Sequence, residues 1–419
     1  MKASARVQAA IDILESLGAT AQPVDRYLRD YFHVRRYAGS KDRAFVAERV
    51  YTVMRHRSSL AWRMGSDDPR ALVIGSLLVE GVSGDALVGL FNGQGYGAPA
   101  LTEAERAAIA TPPAAEPPLH VRGEFPPFLE PELTRAFGTS LLDEMLALQA
   151  RAPVDLRVNT LRAERNAVMA ALRADGFATE PMPYAPHGLR LPPAEGSARL
   201  GASSQFVDGA FEFQDEAAQI VALLCGAQPG MRVLDFAAGA GGKSLALAAL
   251  MENKGEIVAH DVDPARLRQL APRAARAAAT IIRPTSKLPT GTFDIVLIDS
   301  PCSGSGTWRR QPELRWRLKP ERLRSLNTLQ DDLLSQGAEH TALGGRLIYA
   351  TCTLLPCENE DRIARFLSDH SDFAVLSAAE AWRATTDTPP PPGMLHVFQA
   401  TPQRTGTDGF YTAVLQRRR

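Results

Sequence analysis

The chain has 419 residues, 45% of them apolar, and its 47 basic residues balance 47 acidic ones. That composition reads as globular rather than disordered, and the length suffices for two or three domains. No apolar run approaches the roughly eighteen residues of a membrane span, Arg6, Asp12 and Glu15 argue against a secretion signal, and the balanced charge alone gives no warrant for a nucleic-acid partner. A cytoplasmic monomer with no membrane association is the expectation. The four cysteines, Cys225, Cys302, Cys352 and Cys357, are too few for a disulfide framework in a chain this long.

Residues 3–17 place Val7, Ile11, Leu14 and Leu17 on one helical face. A second helix is predicted from Ser40 as N-cap, with Phe45, Val46, Val50, Val53 and Met54 following, and a third over residues 71–79. No strand alternation precedes about residue 120, so residues 1–120 read as an all-α domain ending in the Pro/Ala stretch 111–118. Residues 121–205 read as a small α+β module, with strands at 155–158 and 188–191 and a helix at 163–175. From 206 to 419, strands at 232–236, 256–261, 293–299 and 346–350 alternate with helical patterns. That alternation predicts an α/β domain with a parallel, doubly wound sheet, whose ligands bind beyond the carboxyl ends of its strands.

The first of these strands runs into a turn of Ala237, Ala238, Gly239, Ala240, Gly241, Gly242 and Lys243. Its glycines permit a sharp reversal and close approach to a ligand, and the N–H groups of the helix that follows point the same way. A Walker A loop would need glycine where Ala237 stands, and the dinucleotide pattern Gly-x-Gly-x-x-Gly is absent. The loop suits an amino-acid carboxylate and a nucleoside better than a pyrophosphate. Asp261 ends the next strand, at the position where a carboxylate accepts both ribose hydroxyls of an adenosine cofactor. The competing reading of Asp261 is a helix cap.

Cys302 and Cys352 each follow a predicted strand. If those strands are neighbours, both sulfur atoms face one pocket. The plainer reading of either is a small buried hydrophobe. Zinc is disfavoured, because Cys352 and Cys357 lack a second ligand pair at the right spacing, and no metal is expected. A free thiol, with a pKa of roughly 8.5, is only slightly ionised at neutral pH, so a nucleophilic cysteine needs a nearby cation, for which Lys243 is the candidate. After Cys302 comes a basic, aromatic run of Trp308, Arg309, Arg310, Arg315, Trp316, Arg317, Lys319, Arg322 and Arg324. Because it adjoins the expected pocket, it reads as a surface that stacks on unpaired bases and pairs with phosphates; the competing reading is a solvated helix face with its tryptophans in the core. Residues 417–419 read as a frayed tail.

With these motifs the chain resembles the Sun/RsmB family of RNA cytosine-5 methyltransferases. The resemblance is carried by Gln214 to Glu216, Asp235 to Lys243, Asp299-Ser-Pro-Cys302, Thr351-Cys352, Glu358-Asn359-Glu360 and Asp408-Gly409-Phe410. The strand from Leu156 to Asn159 fits as well, and Gly39 to Phe45 looks like the NusB-like RNA-binding domain of the RsmB branch. The resemblance implies a class I methyltransferase domain with a Rossmann-like sheet, S-adenosyl-L-methionine as cofactor, and small-subunit ribosomal RNA as substrate. Transfer RNA is the runner-up, and a non-catalytic ribosome-assembly factor is the alternative of another class.

The chemistry explains the cysteine. Carbon 5 of cytosine attacks a sulfonium methyl only after a thiolate has added at carbon 6. The resemblance assigns that addition to Cys352 and product release to Cys302; the residues alone leave the order open. Asp299 is expected to bind the base as a protonated acid kept neutral by burial, stabilising ring nitrogen 3, and to lie against the cofactor. The competing reading has Asp299 capping the turn at Pro301. Two departures from the family stand out. Gly239-Ala-Gly-Gly-Lys replaces Ala-Pro-Gly-Gly-Lys, and residues 277–292 hold no acidic residue for the cofactor's adenine.

Overall fold

A computed structural model describes residues 1–193 and 197–418, and the chain divides into two compact units. The first comprises residues 1–150 together with 308–317; the second comprises 151–307 and 318–419. Sequence reading set boundaries at 120 and 205, whereas the compact units part at 150, and the α+β module shares a unit with the doubly wound sheet.

The first unit is entirely helical among its described residues. Helices Ala3–Gly18, Ser40–Arg55 and Pro69–Val79 bury Val7, Ile11, Leu14, Val46, Val50, Val53 and Ile74 in one core. Gly39, not Ser40, is the N-cap, and the Asp42 carboxylate accepts its N–H at 3.1 Å. A helix at Val24–His33 has no counterpart in the sequence reading.

Residues 308–317 correct the stacking-surface expectation. Trp308 and Arg315 are fully buried within the helical unit. Arg315 donates to the Glu124 carbonyl at 3.0 Å, the Trp316 indole N–H to the Met54 carbonyl at 2.7 Å, and Arg317 to the Gln22 carbonyl at 2.9 Å. These three donors are turned to carbonyls of the fold, and of the run only Lys319, Arg322 and Arg324 are exposed.

The second unit holds two sheets. Four short strands, β1 (Val154–Val158), β2 (Glu180–Pro181), β3 (Gly188–Leu191) and β4 (Phe211–Phe213), form an antiparallel sheet in the order β2-β3-β1-β4. The larger sheet is built from β5 (Arg232–Asp235), β6 (Glu256–His260), β7 (Ile282–Thr285), β8 (Phe293–Asp299), β9 (Thr341–Thr351), β10 (Phe373–Leu376), β11 (Phe398–Ala400) and β12 (Phe410–Arg417). Its order is β10-β12-β9-β8-β5-β6-β7, with β11 beside β12. Strands β5 to β9 pair in parallel, as the alternation predicted; β12 inserts antiparallel to β9. Arg417 is therefore part of β12 and pairs with Asp372 at 2.9 Å, which corrects the frayed-tail reading for that residue; Arg419 lies outside the described residues. No helix among the described residues is long and apolar enough to cross a membrane.

The chain runs outward from β5 through β6 to β7, then returns to place β8 on the other side of β5. The crevice at such a reversal is where a doubly wound sheet receives ligands. The turn after β5 and the loops after β8 and β9 all open there.

Trp308→Ala is expected to destabilise the protein by about 3–5 kcal/mol, the usual cost of truncating a buried large aromatic. Chemical denaturation measures this; an unchanged midpoint together with weakened RNA binding would restore the stacking-surface reading.

Candidate active site

At the end of β5 the turn reverses through Gly239 and Gly241, whose φ angles are +56° and +77°. A Cβ at Gly241 would lie 2.1 Å from Leu270 Cδ1, so a side chain there is blocked by packing as well as by backbone conformation. The helix Gly242–Leu250 starts immediately, leaving its first-turn N–H groups directed at the crevice. Beneath the turn, Asp235 is fully buried. Its Oδ2 accepts the Ser244 hydroxyl at 2.6 Å, and its Oδ1 has no hydrogen-bond partner. Burial pushes its pKa up to about 6 despite the Ser244 bond.

Asp261 follows β6 as expected, and the structure shows what holds it. Its Oδ2 accepts the Gly239 N–H at 2.8 Å and faces Arg266 at 3.3 Å; its Oδ1 accepts the Asp263 N–H at 2.9 Å. A carboxylate offers about four lone-pair sites, so both ribose hydroxyls fit only when Arg266 swings aside. Arg266 is half exposed and free of a tight packing constraint on that account. The helix Pro264–Leu267 is capped by Asp263, not by Asp261, which removes the competing capping role. Strand β7 ends at Thr285, whose hydroxyl accepts the Lys287 N–H at 3.1 Å, and none of its residues is acidic.

Lys243 and Asp299 meet at 2.6 Å. Burial opposes the ammonium charge, but Asp299 and Asp235 together carry the Lys243 pKa above its ordinary value. The Lys243 ammonium also lies 5.4 Å from the centre of the Phe410 ring. This pair changes the expectation for Asp299. Its side chain is 36% exposed and ion-paired, so the burial on which the protonated-acid reading relied is not present.

Register then delivers the two cysteines. Strands β8 and β9 are parallel neighbours with Asp299 opposite Ala350, and the Ser300 N–H donates to the Ala350 carbonyl at 2.8 Å. Three and two residues further on, Cys302 Sγ and Cys352 Sγ lie 3.4 Å apart, and both residues are partly exposed. The Cys302 pKa is raised well above the thiol range, first by its hydrogen bond with Cys352, then by burial, by the charge of Cys352 and by Glu358. Cys302 is thereby held as a thiol beside Cys352. Cys225, by contrast, is fully buried and its pKa is pushed up to about 12 by desolvation, which leaves it a core residue.

Side chains that sequence reading gave no role fix this pair. Ser303 and Thr353, one residue beyond each cysteine, join by their hydroxyls at 2.9 Å. The Gly306 N–H donates to the Cys352 carbonyl at 2.9 Å, and Gly306 abuts Gly409 so closely that a Cβ on it would come within 2.1 Å of the Gly409 carbonyl oxygen. The Asp408-Gly409-Phe410 segment thus closes over the Cys302 loop. Glu358, fully buried, accepts from Ser303 and Gln330. The only advance sign of these residues was the family pattern itself.

The family profile described as 16S rRNA methyltransferase RsmB/F matches residues 222–416, and a profile for an RsmF/B-like ferredoxin-like domain matches residues 125–195. A probable ribosomal RNA small subunit methyltransferase B from Synechocystis is 35% identical over 310 residues, covering 70% of this chain and 67% of the relative. A ribosomal RNA small subunit methyltransferase B from Sodalis glossinidius is 28% identical over 447 aligned positions, covering 98% and 96%. Among solved structures, a methyltransferase homologue from Pyrococcus horikoshii superposes with a TM-score of 0.61 at 26% identity, covering 71% of this chain and 97% of that one.

A raised thiol pKa means less thiolate at a given pH and slower alkylation. Iodoacetamide at pH 8 should therefore modify Cys352 well before Cys302, read by peptide mass spectrometry. In Cys352→Ser, Cys302 should label at lower pH than in the parent. Equal labelling of the two cysteines in the parent would contradict this electrostatic picture.

Proposed function

The chain belongs to the RsmB/F family of 16S rRNA methyltransferases, and from that premise we propose that it methylates carbon 5 of a cytosine in small-subunit ribosomal RNA with S-adenosyl-L-methionine as donor. The observation that carries the reading is the sulfur pair at 3.4 Å, at the strand ends beside the glycine turn. Two partly exposed cysteines at one ligand crevice serve a reaction that needs one sulfur to add to a ring and a second group to release it.

The residues present fit the cofactor. Gly239 and Gly241 shape the turn, the N–H groups at Gly242 and Lys243 would hold an amino-acid carboxylate, and Asp261 would take the ribose hydroxyls once Arg266 moves. The unpartnered Oδ1 of Asp235 supports a polar ligand or water above it. Bound there, S-adenosyl-L-methionine supplies an electrophilic methyl group. Thr285 closes β7 and Ser286 follows it, in the segment where the family carries an acid.

The chain's own residues do the rest. The base must be unpaired or flipped to enter the crevice. Cys352 adds to carbon 6 as a thiolate, and the Lys243 ammonium is the positive charge that feels it. As the ring takes on electron density, the Lys243 ammonium offsets it, while Asp299, which holds Lys243 at 2.6 Å, accepts from the exocyclic amino group and so orients the base. Once carbon 5 is methylated, Cys302 gives its own proton to solvent and, as a thiolate, takes the remaining proton of carbon 5; the electron pair of that C–H bond forms the ring double bond, and the bond from carbon 6 to Cys352 breaks with its electrons returning to Cys352 as thiolate.

The helical unit is proposed to bind RNA. A cavity of about 1000 Å³ on it is lined by Lys2, Arg35, Tyr31, Tyr37 and Tyr96, with the Arg35 guanidinium 3.7 Å from the centre of the Tyr31 ring. Tyr37 and Tyr96 are 72% and 92% exposed, an arrangement suited to stacking on unpaired bases. Replacing both tyrosines with alanine should weaken single-strand RNA binding about tenfold or more, by fluorescence anisotropy; parental affinity would remove this role.

Bisulfite sequencing of RNA from a deletion strain tests the main proposal. Loss of one protected cytosine in small-subunit ribosomal RNA, restored by the parent gene and not by Cys352→Ala, is expected. Loss in transfer RNA instead would move the substrate to that class. No change anywhere would favour a non-catalytic assembly factor.

A further inference from the structure

We propose that Glu358 is a positioning residue that fixes the spacing of Cys302 and Cys352 by holding the residue that follows each of them. The catalytic meaning of that spacing rests on the reading above; the spacing itself does not.

The geometry is specific. Glu358 Oε1 accepts the Ser303 N–H at 2.8 Å and the Gln330 side-chain N–H at 3.0 Å. Its Oε2 accepts the Ser303 hydroxyl, whose oxygen in turn accepts the Thr353 hydroxyl at 2.9 Å, so Thr353 is held through Ser303. Gln330 donates in addition to the Pro301 carbonyl at 3.0 Å. Cys302 is therefore gripped on both sides, at Pro301 and at Ser303, by one carboxylate and the amide bound to it. The next residue does the same for Cys352. Asn359 Oδ1 accepts the Thr351 hydroxyl at 2.6 Å, and its Nδ2 donates to the Thr353 carbonyl at 3.0 Å. The Tyr349 hydroxyl donates to the Glu358 carbonyl at 2.7 Å and ties this short segment to β9.

A side chain kept only for packing would not be a carboxylate. Burying one costs several kcal/mol unless donors surround it, and well-packed apolar groups replace buried charges at little loss. Here the donors come from the loop of one cysteine and from the helix Pro320–His340 that backs it, and the Thr353 hydroxyl, at the strand end of the other, supports Ser303 from behind. Glu358 is the point where these elements meet. Its charge is also among the influences that hold the Cys302 proton.

Glu358→Ala and Glu358→Gln in the full-length chain test this, with two independent readouts. The first is the effective concentration of Cys302 toward Cys352, from the equilibrium of their disulfide against glutathione buffers. It needs neither RNA nor cofactor. It should fall at least tenfold in Glu358→Ala and less in Glu358→Gln, which keeps the volume and one acceptor oxygen. The second is the pH profile of methyl transfer. Removing the charge should move the limb assigned to Cys302 to lower pH, and kcat should fall roughly 10²-fold, the scale of an ångström of misplacement, with the cofactor KM unchanged. A merely structural role would lower the melting temperature and move neither the disulfide equilibrium nor the profile; that result overturns the proposal. If Glu358→Ala does not fold, Glu358→Gln decides by the same readouts. If the parent does not methylate RNA, the function fails while the disulfide equilibrium still judges Glu358.

Discussion

The parallel register between β8 and β9 is the constraint on which the rest of the site depends. Asp299 lies opposite Ala350, and the two chains leave the sheet side by side toward Cys302 and Cys352. A slip of one residue would turn alternate side chains to the other face and separate the sulfur atoms. The register is held on both sides. β9 is clamped between β8 and the antiparallel β12, and β8 also pairs with β5. The sheet edges lie away from the chemistry, so the strands that carry it are those least able to shift.

Charge is buried around this sheet end at some cost, and the cost falls where the chemistry is. Asp235, Lys243 and Glu358 are all buried, and each is stabilised differently. Asp235 has a single hydroxyl donor, which does not outweigh the burial that raises its pKa. Lys243 has a carboxylate partner at 2.6 Å that outweighs its desolvation. Glu358 has a set of neutral donors. Partly satisfied polar groups of this kind are tolerated mainly at functional sites, where a ligand completes them.

How much of this was legible in the sequence follows from what is local. The glycine turn, the strands β5, β6 and β8, and the Cys302 and Cys352 loops carry short-range signatures, and sequence reading placed them. β12 was missed because one antiparallel strand after a long parallel pattern has no signal of its own. Residues 308–317 were misread because periodicity shows which residues are apolar or charged, not which unit they join. Trp308 and Arg315 have the composition of an RNA surface and the burial of a core. Asp299 was taken for a buried acid because its partner Lys243 is 56 positions away in sequence and next to it in space. Glu358 could be quoted as part of a pattern, but a buried hydrogen-bond hub becomes visible only once Ser303 and Gln330 converge on it, with Thr353 behind Ser303.

The central claim is that Cys352 bonds to the base and Cys302 releases it. The most direct test incubates Cys302→Ala with substrate RNA and S-adenosyl-L-methionine, then denatures the mixture. The account requires a protein–RNA complex that survives denaturant, with the nucleotide attached to the peptide containing Cys352. Normal turnover by that variant with no trapped complex, or attachment through any other side chain, would contradict it.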